Sequence, residues 1–250
     1  MAVDRAEIRP ALGRAGQPGR PRVELLEPQS AGNPRSVGLV PGSFDPVTVA
    51  HAALAGALGT EVTLLVYSPA TLPKQRGPGG DPHPPLLDEE ARLASLLAWS
   101  DAHPGTAVAV SSHGLLADQA AAAAAVFPRA RLLFGVGSDK VLQLFDRRWY
   151  EDRDADLDRL FSRAEVVYAV RAGDEDRLQA CLKDNVRWSS RLRPLDLPPE
   201  VAGVSSRAVR DAVARGEDVT ASVPPEVRPF VQSPAGPHGT SSPGRARSGP

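Results

Sequence analysis

The sequence predicts a doubly wound parallel α/β domain, and three observations carry that prediction. Short apolar, β-branched runs of strand length recur at 36–40, 61–68, 106–110, 131–136 and 164–170. Segments of helical character separate them, most clearly Leu86 to Trp99 and the alanine-rich Leu115 to Phe127. Glycine-bearing turns follow two of the runs, at Gly42 and Gly137. Strands that alternate with helices pair in parallel through crossovers, which puts helices on both faces of one sheet. Ligands of such sheets lie beyond the carboxyl ends of the strands, where strand order reverses.

The first run, Ser36 to Val40, leads through Pro41-Gly42-Ser43-Phe44-Asp45-Pro46 into a helix that holds Thr48, His51 and Leu54. After the second run, 69–85 is rich in proline and glycine and carries Lys74, so it reads as a long loop. Leu86 to Trp99 sets Glu89, Glu90 and Arg92 among leucines at helical spacing. The alanines 120–125 favour helix strongly, Pro128 stops it, and close packing of a crossover helix is expected there. Gly137-Ser138-Asp139 turns out of the fourth strand into a helix, and a loop with Trp149 and Tyr150 follows. The fifth strand ends at Arg171. Near the end, Ser205 or Ser206 can cap a helix bearing Arg207 and Arg210, and 219–231 is expected to form a C-terminal helical cap.

The sequence has 25 prolines and 22 glycines, and for their length the two ends are richer in both than the chain as a whole. Residues 1–34 and 233–250 hold few bulky apolar side chains, too few to offset the entropy of ordering, so both are expected to be disordered tails. The working domain is then 35–232, a size suited to one α/β domain. A net charge of −1 gives no global attraction to nucleic acid or anionic membrane. The single cysteine, Cys181, rules out an internal disulfide and suits a reducing compartment. No apolar run is long enough for a membrane span and none has the character of a signal peptide, so a cytoplasmic protein is expected. A homo-oligomer is compatible with all of this.

Two stretches are suited to phosphate. At the first, Gly42 lets the backbone pass close to a ligand, the helix start presents free N–H groups, and His51 lies about one turn along. At the second, Ser205, Ser206 and Arg210 bring hydroxyls, amides and a guanidinium to another helix start. Lys74, Gly137, Asp139 and Arg171 also follow strand ends, so topology gathers them on the same edge. Several of these residues keep a second reading. Thr48 can be a cap, a catalytic neighbour or both; Asp139 can simply complement a helix dipole. Trp149 can be packing, and Lys74 a solvated loop lysine.

Gly42-Ser43-Phe44-Asp45-Pro46-Val47-Thr48-Val49-Ala50-His51 resembles the (T/H)xGH signature of the adenylyl- and cytidylyltransferase superfamily, with Ala50 where glycine is usual. Val204-Ser205-Ser206-Arg207-Ala208-Val209-Arg210 is similar to its ISSTxxR motif, with Arg207 in place of threonine. Within the superfamily the chain looks most like the nicotinamide/nicotinate mononucleotide adenylyltransferases, on Gly137-Ser138-Asp139, Trp149, Val170-Arg171-Ala172-Gly173 and the separation of the two motifs. Phosphopantetheine adenylyltransferase is the alternative; cytidylyl transfer or a non-catalytic nucleotide-binding homologue would keep the same fold.

The resemblance implies a Rossmann-like fold and transfer of AMP from ATP to a mononucleotide, with release of pyrophosphate. It implies catalytic roles for His51, Thr48 and Arg210. ATP contacts would come from Gly42, Ser43, Phe44, His51, Lys74, Gly137, Asp139, Ser205, Ser206, Arg207 and Arg210, and substrate contacts from Trp149 and Arg171. Mg2+ would ride on the ATP phosphates, since the sequence has no dedicated carboxylate cage and no protein metal site is expected.

Overall fold

All five apolar runs are strands in the computed structural model, which describes residues 5–26, 33–69, 85–171 and 173–232. Seven strands form one sheet: β1 Val23–Leu25, β2 Ser36–Gly42, β3 Val62–Tyr67, β4 Thr106–Ser111, β5 Arg131–Gly137, β6 Ala164–Ala169 and β7 Leu192–Pro194. Their spatial order is β1-β4-β3-β2-β5-β6-β7. Every pairing is parallel except β1 with β4. Order therefore reverses between β2 and β5, the topological switch point of a doubly wound sheet.

Side chains of both signs of the pleat are buried, as expected of strands covered on two faces. One face packs on α4 Leu116–Val126, α5 Ser138–Leu144, α6 Arg153–Phe161, α7 Glu175–Asp184 and α8 Val186–Ser189. The other packs on α1 Ile8–Ala15, α2 Val49–Ala57, α3 Glu89–Asp101 and the C-terminal elements. Those last are α9 Pro199–Ala202, α10 Ser206–Ala214, a 3-10 turn at Pro225–Val227, and α11 Arg228–Val231. Val223, Val227 and Val231 are buried, and Val49 N–H donates to the Ser222 carbonyl at 3.0 Å, so the expected helical cap is fastened to the start of α2. Ala117, Ala120 and Ala123 recur at helical spacing and are buried against the sheet and α6. Small side chains let that helix approach closely, as the alanine run predicted.

Residues 5–26 correct the expectation of a disordered 1–34 tail. Bulky apolar residues are few there, but Ile8, Ala11 and Ala15 form a short buried stripe on α1. β1 then extends the sheet at the β4 edge, with Val23 opposite Ser111 and Leu25 opposite Ala109. Three strand residues and a one-sided helix are too short to stand out from their composition; contact with a preformed edge orders them. The remainder of that tail, and 233–250, lie outside the described residues. β7, at the opposite edge, was also not foreseen. It is three residues long and ends in Pro194, which an edge strand tolerates.

The ladder between β2 and β5 is short. It runs only from Ser36 opposite Arg131 to Leu39 opposite Phe134. β2 stays paired with β3 as far as Gly42 opposite Tyr67, and β5 with β6 as far as Gly137 opposite Ala169. The sheet is thus unzipped at the switch point alone among these central pairs. Pro41, which has no N–H to donate, lies in the parted stretch. A crevice at the carboxyl ends of β2 and β5 follows.

Candidate active site

Two turns border the crevice. The first follows β2. Phe44 has φ 45°, in the left-handed region that a bulky residue enters at a cost of about 1–2 kcal/mol. Its ring is fully buried over Gly42, whose added Cβ would lie 2.9 Å from Phe44 Cζ. The glycine is therefore required by the phenylalanine ring, and not only by a ligand as its place in the turn suggests. The same ring sits 5.2 Å from the His51 imidazole, tilted by 59°. Ser43 is half-buried on the turn.

Thr48 is the N-cap of α2 and is wholly buried; with His51 it forms a capping box. Thr48 N–H donates to His51 Nδ1 at 3.1 Å, and the Thr48 hydroxyl lies 2.8 Å from the same nitrogen. With Nδ1 accepting, the neutral ring carries its proton on Nε2, a tautomer assigned from the hydrogen-bond pattern. His51 is half-buried, so the ring is oriented by its own helix start.

The second turn follows β5. Gly137 caps α5, and a Cβ there would lie 2.8 Å from Asp139 Oδ1 and 3.2 Å from Arg171 Nε. Asp139 Oδ2 and Arg171 Nη1 are 3.3 Å apart and both partly exposed. Ser138, which is buried and was not singled out from the sequence, positions that pair. Its hydroxyl donates to Asp174 Oδ2 at 2.6 Å and accepts from Arg171 N–H at 3.2 Å. Asp139 and Arg171, predicted from topology alone to converge, do so.

α10 docks on the first turn. Ser205 is its N-cap, accepting from Ala208 N–H at 3.1 Å. Ser206 Oγ donates to the Pro46 carbonyl at 2.9 Å, and Arg210 Nη1 donates to the Asp45 carbonyl at 2.8 Å. The two motifs, some 150 residues apart in sequence, are thus bound directly to each other. Arg207 is exposed. Asp45 is the side chain that sequence reasoning missed, although it lies inside the first motif: it is buried, faces Arg92 and Arg210, and accepts from the Leu87 amide. Nearby, Tyr67 OH donates to Glu89 at 2.8 Å; burial first, then that carboxylate, pushes its phenol well above the ordinary range.

Trp149 is half-buried in a 3-10 turn, with the Arg148 guanidinium 5.8 Å from its ring centroid. Its indole N–H is buried and has no hydrogen-bond partner among the described residues. Lys74 lies outside the described residues.

The chain is 32% identical over 217 residues to a probable nicotinate-nucleotide adenylyltransferase of Laribacter hongkongensis, spanning 78% of this chain and 91% of that relative. That degree of identity over that span decides the family. The chain belongs to the nicotinate-nucleotide adenylyltransferases. A probable nicotinate-nucleotide adenylyltransferase of Lachnoclostridium phytofermentans is 26% identical over 207 residues, spanning 79% of this chain and 96% of the relative. In fold the chain is similar to Plasmodium falciparum nicotinic acid mononucleotide adenylyltransferase. The TM-scores are 0.51 to its complex with APC and 0.52 to its complex with NaAD. Each likeness covers 79% of this chain at 14% identity, with 94% and 95% of those chains spanned. No protein-family model matches the chain. Membership of this family agrees with a parted switch point bordered by a capped histidine.

Proposed function

We propose that the chain transfers the AMP moiety of ATP to nicotinate mononucleotide, forming the dinucleotide and pyrophosphate in NAD biosynthesis. Family membership supports the reaction class. The observation that carries the assignment to this site is the oriented His51 at the split between β2 and β5. The sequence relatives bear the nicotinate-nucleotide name, which favours a pyridine mononucleotide over phosphopantetheine as acceptor.

A phosphate oxygen of the mononucleotide attacks the α-phosphorus of ATP, and the bond from that phosphorus to the bridging oxygen of pyrophosphate breaks. No enzyme nucleophile is needed, so catalysis rests on positioning and on donors aimed at developing charge. In this reading His51 Nε2–H donates to an α-phosphate oxygen as negative charge builds. Thr48 keeps Nδ1 occupied and the ring in place. The turn at Gly42, Ser43 and Phe44 supplies backbone contacts. The N-terminal end of α10, with Ser205, Ser206, Arg207 and Arg210, holds the departing pyrophosphate. Gly137 and Asp139 take the ribose side of the nucleotide. Arg171 and Trp149 serve the mononucleotide, and Lys74 a phosphate.

Mg2+ is assigned to the nucleotide. Asp45 is engaged by two arginines and Asp139 by Arg171, and among the described residues no three metal-ligating side chains converge. A metal carried by the phosphates would neutralise their charge there. No helix among the described residues is long and apolar enough to cross a membrane, and the free thiol of Cys181 suits the cytoplasm, where we place the reaction.

The reading is tested by incubating the protein with ATP, Mg2+ and nicotinate mononucleotide and separating the products. Equal amounts of nicotinate adenine dinucleotide and pyrophosphate are expected. ADP with a phosphorylated acceptor would mean attack at the γ-phosphorus and would refute it.

A further inference from the structure

The first motif contains a buried carboxylate, Asp45, with two arginines beside it. Asp45 Oδ1 accepts from Leu87 N–H at 2.8 Å and Oδ2 from Leu86 N–H at 3.3 Å. Oδ2 also lies 3.3 Å from Arg92 Nη2 and 3.6 Å from Arg210 Nη1. Both guanidinium groups are about nine-tenths buried. Arg92 is fixed independently, since its Nε donates to the Leu87 carbonyl at 2.8 Å. Arg210 depends on residue 45 twice, through the carbonyl and the carboxylate.

We propose that Asp45 is a positioning residue for adenylyl transfer: it holds the Arg210 guanidinium, and with it the start of α10, in register with His51. This rests on the reaction proposed above. Two guanidinium groups share the Asp45 carboxylate beside the turn that leads into α2. Without Asp45 the two guanidinium groups lose their shared counter-ion and repel each other in a poorly solvated place. Arg92 keeps its bond to the Leu87 carbonyl, and Arg210 loses the carboxylate contact that sets its guanidinium beside residue 45. Arg92 in turn leaves Asp45 neutralised when a polyphosphate draws on Arg210. The chain order explains why one residue can do this: Asp45 precedes Pro46, whose carbonyl receives Ser206, and lies three positions before the Thr48 cap that orients His51.

The test is a double-mutant cycle on full-length protein: wild type, Asp45→Asn, Arg210→Lys and the double variant, with pyrophosphate release followed as ATP is varied. Asp45→Asn is expected to lower kcat/KM for ATP roughly 10- to 100-fold, with KM for nicotinate mononucleotide within about threefold of wild type. The double variant should be no worse than the poorer single one, because Asp45 acts through Arg210. Asp45→Glu, which restores the charge, should recover part of the loss. Losses that multiply in the double variant, or an Asp45→Asn enzyme with unchanged kinetics, would overturn the proposal. Should Asp45→Asn lose its circular-dichroism signature of folding, Asp45→Glu takes its place in the cycle. Calorimetric titration with ATP reads the same coupling as affinity. Wild type that binds ATP without turnover would therefore sink the reaction and still decide the role of Asp45.

Discussion

Replacing Thr48 by valine separates the two jobs that the start of α2 performs. Valine keeps the branched shape in a fully buried position but removes the hydroxyl that lies 2.8 Å from His51 Nδ1. Loss of an N-cap hydroxyl costs about 0.5–2 kcal/mol. At this chain size, 1 kcal/mol moves Tm by about 2–4 °C, so a fall of a few degrees is expected by calorimetry. Activity should suffer less. The backbone N–H of Thr48, at 3.1 Å from Nδ1, survives the change and still directs the ring proton to Nε2. A looser ring is expected to cost no more than about tenfold in kcat, or about 1.4 kcal/mol. His51→Ala removes the donor itself and should cost roughly 100- to 1,000-fold. Measuring kcat and Tm for both variants checks this. If Thr48→Val matched His51→Ala in lost activity at an unchanged Tm, the hydroxyl would be acting on the substrate, and the tautomer argument would fail.

Gly137→Ala sets a Cβ 2.8 Å from Asp139 Oδ1 and 3.2 Å from Arg171 Nε, both flexible and partly exposed. Stability should change by less than about 1 kcal/mol because those tips can yield, while KM for ATP rises several-fold as Asp139 is displaced. Unchanged KM would remove Asp139 from the nucleotide site. At the other end of the strands, Glu165 on β6 bridges Arg131 on β5 and Arg193 on β7, and its pKa is lowered, chiefly by the hydrogen bond from Arg131. A depressed folded pKa stabilises above the unfolded value and loses that contribution as pH falls through the folded one. The urea midpoint of wild type should therefore exceed that of Glu165→Gln above about pH 5, by a contribution of only about 0.2–1 kcal/mol for so exposed a group. The gap should close under acid, and a gap that widened there would reverse the sign of the argument.

The central sheet was legible because five buried parallel strands are continuous apolar runs, and Gly, Pro and Ser mark their ends. The alanine run was legible for the same reason in helical terms. α1, β1 and β7 were not. Ile8, Ala11 and Ala15 make only a three-residue stripe, and Leu192-Arg193-Pro194 has no alternation to detect; both acquire order from the edge they cover. At the site, the gathering of Asp139 and Arg171 on one edge followed from topology, and Thr48 was legible as a helix cap, but the hydrogen bonds that join it to His51 were not. Asp45 was passed over because a carboxylate in a turn is usually a solvated or capping residue. Arg92, on a different helix, supplied the missing context. A local sequence window shows neither the burial nor the second arginine. Arg210 illustrates the converse: its motif singled it out, but its attachment to the first motif's backbone was not legible.

Adenylyl transfer is tested most directly by pyrophosphate release from ATP and Mg2+ with nicotinate mononucleotide, nicotinamide mononucleotide and phosphopantetheine offered separately, and with His51→Ala as the control. Release with a pyridine mononucleotide, greatest with the nicotinate form, and its near loss in the variant are expected. Folded protein that binds ATP yet releases pyrophosphate only with phosphopantetheine, or with none of the three, would contradict the proposed function.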